Sequence, residues 1–366
     1  TGSPGPEGAW RLRLAGRPDG DRYQLALRLE QAETGDLLAQ TNVLVQAAQA
    51  IGCQGLFHRE GGARYAFSDW RVDGSALEDA SERAWGPILW AMHTLSESRG
   101  SGGHVLKLTA QLPPLGKEDN REVILQVGDA SAWRTLARAD IDTDAWTARF
   151  RVPDWPAGRE VPYRILYTLR QRDGNTAESA YTGTVRRDPA GSRPLVVAGF
   201  TGNTDYVFPN LELTRNVGIH DPDVLFFSGD QLYEHVGGYG IIRTPADRSI
   251  LNYLRKWYLL GWAFGDLMRD RVTICLPDDH DVYQGNIWGE GGIDPGGMAG
   301  HAGGGYAQPV AMVNAVHRSQ TSHHPDPYDP TPIARGITPY YGDMTYGRVS
   351  FAIVADRMFK SGPKGK

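Results

Sequence analysis

The chain has 366 residues, enough for two or three domains, and a mild net charge of −5 with no long basic run, which argues against a nucleic-acid-binding protein. Its apolar content of 40% is ordinary for a globular protein, and no apolar run approaches the ~20 residues needed to span a bilayer. The two cysteines, Cys53 and Cys275, lie in different regions, which argues against a disulfide framework or a Cys-based zinc site; Cys275, within "VTICL", reads as a buried core thiol.

The opening "TGSPGPEGAW" lacks the charged start and apolar core of a signal peptide, and it has no initiator Met. The expectation is a sequence whose beginning is missing. Residues 1–74 then read as β: "WRLRL" and "RYQLALRLE" alternate apolar and polar side chains, and "ETGD" is a turn. "GLFHREGGARYAFSDWRV" reads as a hairpin closed over Gly61-Gly62. The run "GLFHREGGARYAFSDWRVDG" resembles the closing strands of a jelly-roll, lectin-like domain, so 1–74 is expected to be the C-terminal part of one. Residues 75–103 are expected to be a connector ending in "ESRGSGGH".

Residues 104–189 are again β. "WTARFRV" places Trp146, Ala148, Phe150 and Val152 on one face, and "YRILYTL" does the same with Tyr163, Ile165, Tyr167 and Leu169. With "HVLKLTAQL", "REVILQVG" and "SAYTGTVRR" and a turn about every ten residues, the spacing predicts an immunoglobulin- or fibronectin-III-like sandwich.

Residues 193–366 follow a different pattern. "PLVVAGF", "DVLFF" and "VTICL" are continuous apolar runs, which suit central strands of a covered parallel sheet. Between them, 246–270 carries Ile250, Leu254, Trp257 and Tyr258 at helical spacing. Strand, helix, strand in sequence predicts an α/β domain, with "RVSFAIVAD" as a further strand.

In open α/β sheets ligands gather beyond the carboxyl ends of strands. Here "LVVAGF" is followed by Thr201, Asn203 and Asp205, and "VLFFSG" by Asp230, Gln231, Tyr233 and His235. "TICLP" is followed by Asp278, Asp279, His280 and Asp281, and "FAIVA" by Asp356 and Arg357. Three ionised carboxylates so close repel one another unless a cation holds them or they face water. Carboxylate, imidazole and phenolate donors suit hard or borderline cations such as Fe³⁺, Ca²⁺, Mn²⁺ or Zn²⁺. A pair of such ions would relieve the repulsion, activate a water and clamp a phosphoryl group, which makes a dinuclear metal hydrolase the physical reading.

"FSGDQLYEH" and "LPDDHDVYQGN", about fifty residues apart, resemble the first half of a PhoD-like alkaline phosphatase of the calcineurin-like metallophosphoesterase superfamily. The resemblance covers roughly 193–366. It implies a four-layer α+β sandwich, here incomplete at its C-terminus, behind all-β modules in a multidomain protein. It also implies a site with two metal ions, Fe³⁺ and Ca²⁺, or Zn²⁺ or Mn²⁺ in their place. On this resemblance Asp230 bridges the metals, Tyr233 binds Fe³⁺ and Asp279 is a further ligand. His280 donates to the phosphate or leaving group, Asp281 orients that imidazole, and Arg357 meets phosphate oxygens. Where many members carry a Cys ligand after the first strand, this chain has Gly199-Phe200, with Thr201 or Asn203 nearby to substitute. The family's later Asp and His ligands have no counterpart in 358–366, so the chain is expected to be a fragment of a longer protein, inactive or very weak on its own. A phosphate monoester or diester as substrate follows from the same resemblance, an extracytoplasmic location from it together with the β-modules, and a glycan or cell surface as partner of those modules from fold analogy alone.

Other polar residues have plainer readings. Asp278 can simply cap the turn, and His235 suits a loop better than a metal. The Gly-rich stretch 285–309 reads equally as a substrate lid or a flexible insertion, with Asn286 near its start and His301 solvated within it. His323-His324 read as a surface loop. No G-K-[ST] follows the glycines and no G-x-S-x-G elbow occurs. Two rival functions are a binding protein with a degenerate phosphatase domain and a carboxylate-pair glycosidase.

Overall fold

The structure, a computed structural model, describes residues 9–50, 68–75, 77, 86–97, 102–129, 132–171, 173–204, 207–235, 240–283 and 308–359. They are mostly β, with few helices, and the chain divides into two compact units, Thr1–Asp79 and Ala80–Lys366.

In the first unit β1 (Trp10–Asp19), β2 (Arg22–Gln31) and β3 (Leu37–Gln46) form an antiparallel meander, followed by one helical turn, α1 (Ala47–Ala50). The pairings Leu12↔Leu29, Leu14↔Leu27 and Leu25↔Val43 put the apolar positions on one face, while Arg11, Arg13 and Arg28 share the other. The strict alternation in the sequence is what produces this two-faced sheet. The hairpin over Gly61-Gly62 lies outside the described residues, as does Cys53.

The second unit holds a six-stranded mixed sheet. Its order is β11 (Val197–Phe200), β12 (Val224–Phe227), β13 (Val272–Cys275), β4 (Trp90–Glu97), β5 (His104–Gln111) and β8 (Thr147–Trp155). The first four run parallel, and β4, β5 and β8 pair antiparallel. A four-stranded antiparallel sheet, β10 (Thr176–Val185), β9 (Val161–Arg170), β6 (Glu122–Asp129) and β7 (Ala132–Asp140), forms separately, as does a hairpin of β14 (Tyr340–Tyr346) and β15 (Val349–Ala355).

Three features differ from the expectations. Residues 75–103 are not merely a connector, because "WAMHTLSE" within them is the central strand β4, buried at seven of its eight positions. The strands of 104–189 are shared between two sheets, and through β4 two of them join the same sheet as β11–β13. β15 is not in the parallel sheet: "YGR" at 346–348 turns the chain back, and among the described residues β15 pairs with β14. That hairpin is tied to β4 by the Thr345 N–H, which donates to Ser96 Oγ at 3.0 Å.

Among the described residues three α-helices complete the unit: α2 (Leu211–Ile219), α3 (Ala246–Met268) and α4 (Val310–Thr321). α3 buries Ile250, Tyr253, Leu254, Trp257, Leu260, Phe264 and Met268, a stripe at three- and four-residue intervals. Burying each large apolar side chain contributes about 1.5–3 kcal/mol. The stripe rests on Trp90 of β4, whose ring sits so close to Gly261 that a Cβ there would lie 2.2 Å from it.

Candidate active site

The parallel strand ends are stitched together by backbone. Ser228 N donates to Phe200 O at 2.9 Å, Leu276 N to Phe227 O at 2.9 Å, and Asn203 N to Asp230 O at 2.8 Å. The loops after β12 and β13 then approach until a Cβ on Gly229, whose φ is +126°, would meet Asp278 Cβ at 2.6 Å. Only glycine fits there. The next residue, Asp230, is itself held left-handed at φ 52°, a sparsely populated conformation for a residue with a Cβ and one that concentrates at functional sites.

This close approach brings Asp230 together with Asp278 and Asp279, each offering a carboxylate oxygen within 4.8 Å of the others. Asp279 is buried, and the Asp230 Oδ1 is buried with no hydrogen-bond partner. Burial, reinforced by Asp279, raises the pKa of Asp230. Burial also pushes Asp278 up to about 6, against the pull of Arg357. Three crowded oxygen donors, one an orphaned buried atom, fit a hard cation. The Tyr233 hydroxyl donates to Asp230 Oδ2 at 3.3 Å and lies at the same edge, its pKa raised by burial and by Asp230. Arg357 reaches across from the end of β15, with Nη1 3.1 Å from Asp278 Oδ1 and Nη2 3.7 Å from Asp279 Oδ1.

His280 opens a short 3-10 turn, His280–Val282, and its ring centroid lies 4.5 Å from that of Tyr233. Its Nδ1 is 2.6 Å from Glu234 Oε2. The hydrogen bond to Glu234 raises the imidazole pKa to about 9, outweighing burial. At Glu234 burial is the largest single influence and works upward, but the bond from His280, a backbone hydrogen bond and the charges of His280 and His235 together lower the carboxyl pKa. Asp281, expected to orient His280, does something else. Fully buried, it accepts the N–H groups of Gln231 at 3.0 Å and Asp278 at 2.8 Å, and the Gln320 side chain at 3.2 Å. It ties the two ligand loops to each other and to α4. Glu234, rather than Asp281, is the carboxylate that meets the His280 ring. Its signal was its place in "GDQLYEH", an acid in the same turn as Asp230 and Tyr233.

The other expected residues fall as follows. Asn203 lies under Asp230 with its Nδ2 buried and unpartnered, whereas Thr201 is exposed at the end of β11. Asp356 is exposed, and its carbonyl accepts from Phe359 N at 2.8 Å. His235 is an exposed loop residue, its Nδ1 3.8 Å from Glu234 Oε2; Glu234, His235 and His280 make a second group of close-set donors. Asn286, His301 and most of the Gly-rich stretch lie outside the described residues. His323 and His324 are not a surface loop: they are 0% and 1% exposed, bonded to Thr273 O and by Cys275 N. Cys275 is buried as expected. Among the described residues no helix is long and apolar enough to cross a membrane.

No family model and no curated protein matches the chain. Among solved structures it is similar to a purple acid phosphatase, PPD1, isolated from yellow lupin (Lupinus luteus) seeds, at 12% identity and a TM-score of 0.44. The likeness covers 93% of this chain and 50% of that one, so the chain spans about half the length of the lupin protein.

Proposed function

We propose that the chain carries the site of a metal-dependent phosphoesterase of the PhoD-like type. The observation that carries this reading is the meeting of Asp230, Asp278 and Asp279 within 4.8 Å at the ends of β12 and β13. Two motifs that resemble one family supply these residues, in order, and Gly229 exists to let their loops touch. The same crowding weighs against a glycosidase, whose paired carboxylates stand roughly 5–9.5 Å apart across the sugar.

Asp230, Asp278, Asp279 and the Tyr233 phenol would hold the metal ions, with Asn203 beside them. Bound there, the metals would polarise the phosphoryl group and supply an activated water. The chain's own residues do the rest. Arg357 presents a planar fork of donors at the rim, suited to phosphate oxygens. Glu234 accepts the Nδ1 proton of His280, which leaves Nε2–H as the donor to the leaving oxygen. As the ester P–O bond breaks, that proton passes to the oxygen and the imidazole is left neutral. The identity of the metals, iron with calcium on the family resemblance, and the β-modules' engagement of a glycan or surface outside the cytoplasm belong to the same proposal.

The test is elemental analysis of the purified chain beside Asp230→Asn, together with hydrolysis of phenyl phosphate and bis(4-nitrophenyl) phosphate. Metal near stoichiometry in the wild type, lost in Asp230→Asn along with hydrolysis of either ester, supports the reading. Hydrolysis that survives both the substitution and a chelator defeats it.

A further inference from the structure

We propose that Arg357 is a built-in counter-cation of the acidic seat, which competes with a metal ion for Asp278 and Asp279 and serves phosphate once the metal has entered. The inference rests on reading Asp230, Asp278 and Asp279 as a metal seat. Its basis is geometric. The guanidinium lies 3.1 Å from Asp278 Oδ1 and 3.7 Å from Asp279 Oδ1, so it takes up two of the three carboxylates that a cation would use. It belongs to neither ligand loop. It arrives from the β14–β15 hairpin, on a short turn, Arg357–Phe359, anchored by Met358 at 1% exposure. Its side chain is 25% exposed, so it can move from the carboxylates toward solvent or a bound anion.

The physics fixes the sign. A positive charge a few ångströms from a cation seat repels the incoming ion, and at the dielectric of a protein edge this repulsion is worth at least about tenfold in affinity. A guanidinium pairs equally well, fork to fork, with carboxylate or phosphate. When a metal takes the carboxylates, the planar donors are freed beside it, where a phosphate would bind. The guanidinium at these two carboxylates offsets their mutual repulsion.

The experiment titrates the metal-stripped chain with Mn²⁺, followed calorimetrically and by the loss of the free-ion paramagnetic signal. The proteins are the wild type, Arg357→Gln, Arg357→Lys and Asp230→Asn. Arg357→Gln should bind Mn²⁺ at least about tenfold more tightly, and Arg357→Lys, which keeps the charge, should stay within about threefold of the wild type. With Mn²⁺ in place, inorganic phosphate should bind Arg357→Gln at least about tenfold more weakly. A residue that merely braced the fold would not move the two affinities in opposite directions. If Arg357→Gln melts early, Arg357→Met, of similar length, replaces it. Equal Mn²⁺ affinity in wild type and Arg357→Gln, or a weaker one in the variant, overturns the inference and leaves the metal seat standing. Absence of Mn²⁺ binding in every protein overturns both.

Discussion

Glu234 Oε2 lies 2.6 Å from His280 Nδ1, and Glu234 is only 7% exposed. The pair joins the loop after β12 to the loop after β13, beside the Asp230 cluster. A buried carboxylate on one ring nitrogen fixes the tautomer and favours the imidazolium, which suits a proton donor. A general acid contributes roughly 10²–10⁴-fold, and most where the leaving group is a poor one. Glu234→Gln should therefore slow hydrolysis of phenyl phosphate about 100-fold and that of 2,4-dinitrophenyl phosphate less than about tenfold. In a His280→Asn background the same change should cost nothing further. Equal losses on the two esters would show that Glu234 does not act through His280.

Asp281 should matter to stability more than to the proton. Replacing it by Ala leaves two backbone N–H groups and the Gln320 amide without their acceptor inside the protein. Unsatisfied buried donors cost about 1–3 kcal/mol each, relaxation recovers part, and a net loss of about 2–4 kcal/mol is expected. Urea unfolding measures it. In Asp281→Ala the leaving-group dependence of hydrolysis should keep the wild-type slope, in contrast to Glu234→Gln.

The legible parts of the sequence were those with a local cause. Apolar runs marked β11, β12 and β13, and the stripe from Ile250 to Trp257 marked α3. Motif spacing marked Asp230, Tyr233, Asp279 and His280, which the fold brings to one edge. What escaped was set by distant contacts. "WAMHTLSE" carries His, Thr, Ser and Glu and so does not read as a central strand, yet the fold buries it between β13 and β5. Asp281 and Glu234 are both acids beside the same imidazole's loop, and only the tertiary pairing decides which one meets the ring. Two adjacent histidines before "PDPYDP" read as solvated because nothing local shows that α4 and β13 enclose them.

Gly261 tests the close contact between α3 and β4. In an exposed helix interior Gly→Ala gains up to about 1 kcal/mol. Here the new methyl would lie 2.2 Å from the Trp90 ring, which is itself 1% exposed and has no room to retreat. Overpacking of this kind costs about 1–3 kcal/mol. Gly261→Ala should thus lower the thermal midpoint, and a rise would mean that Trp90 repacks freely.

The buried histidines set the acid limit of the fold. His93 on β4, His317 on α4, and His323 and His324 just beyond it are all 5% exposed or less. Burial lowers the pKa of His93 and His317 to about 4 and that of His323 to about 3, and it holds His324 well below the ordinary value. The nearby charges reinforce this: Arg186 faces His93, and Lys107 faces His323 and His324. His324 Nε2 also accepts the Cys275 N–H at 3.1 Å, a bond that protonation there would break. In the unfolded chain the same groups take up protons near pH 6.5, so below that pH the unfolded state binds more protons than the folded one. These four rings therefore cost stability as the pH falls from about 6.5 toward 4, while the raised pKa values of Asp278 (about 6) and Asp281 (about 8) work in the opposite sense, and that of His280 (about 9) lowers stability as the pH rises above about 6.5. The four rings outnumber the two opposing carboxyls, so urea midpoints should decline from pH 6.5 through 5.5 to 5. His93→Phe, which removes one titrating ring whose two nitrogens are buried without partners, should make that decline shallower. Midpoints unchanged from pH 6.5 to pH 5 would mean that these rings are solvated in the folded protein.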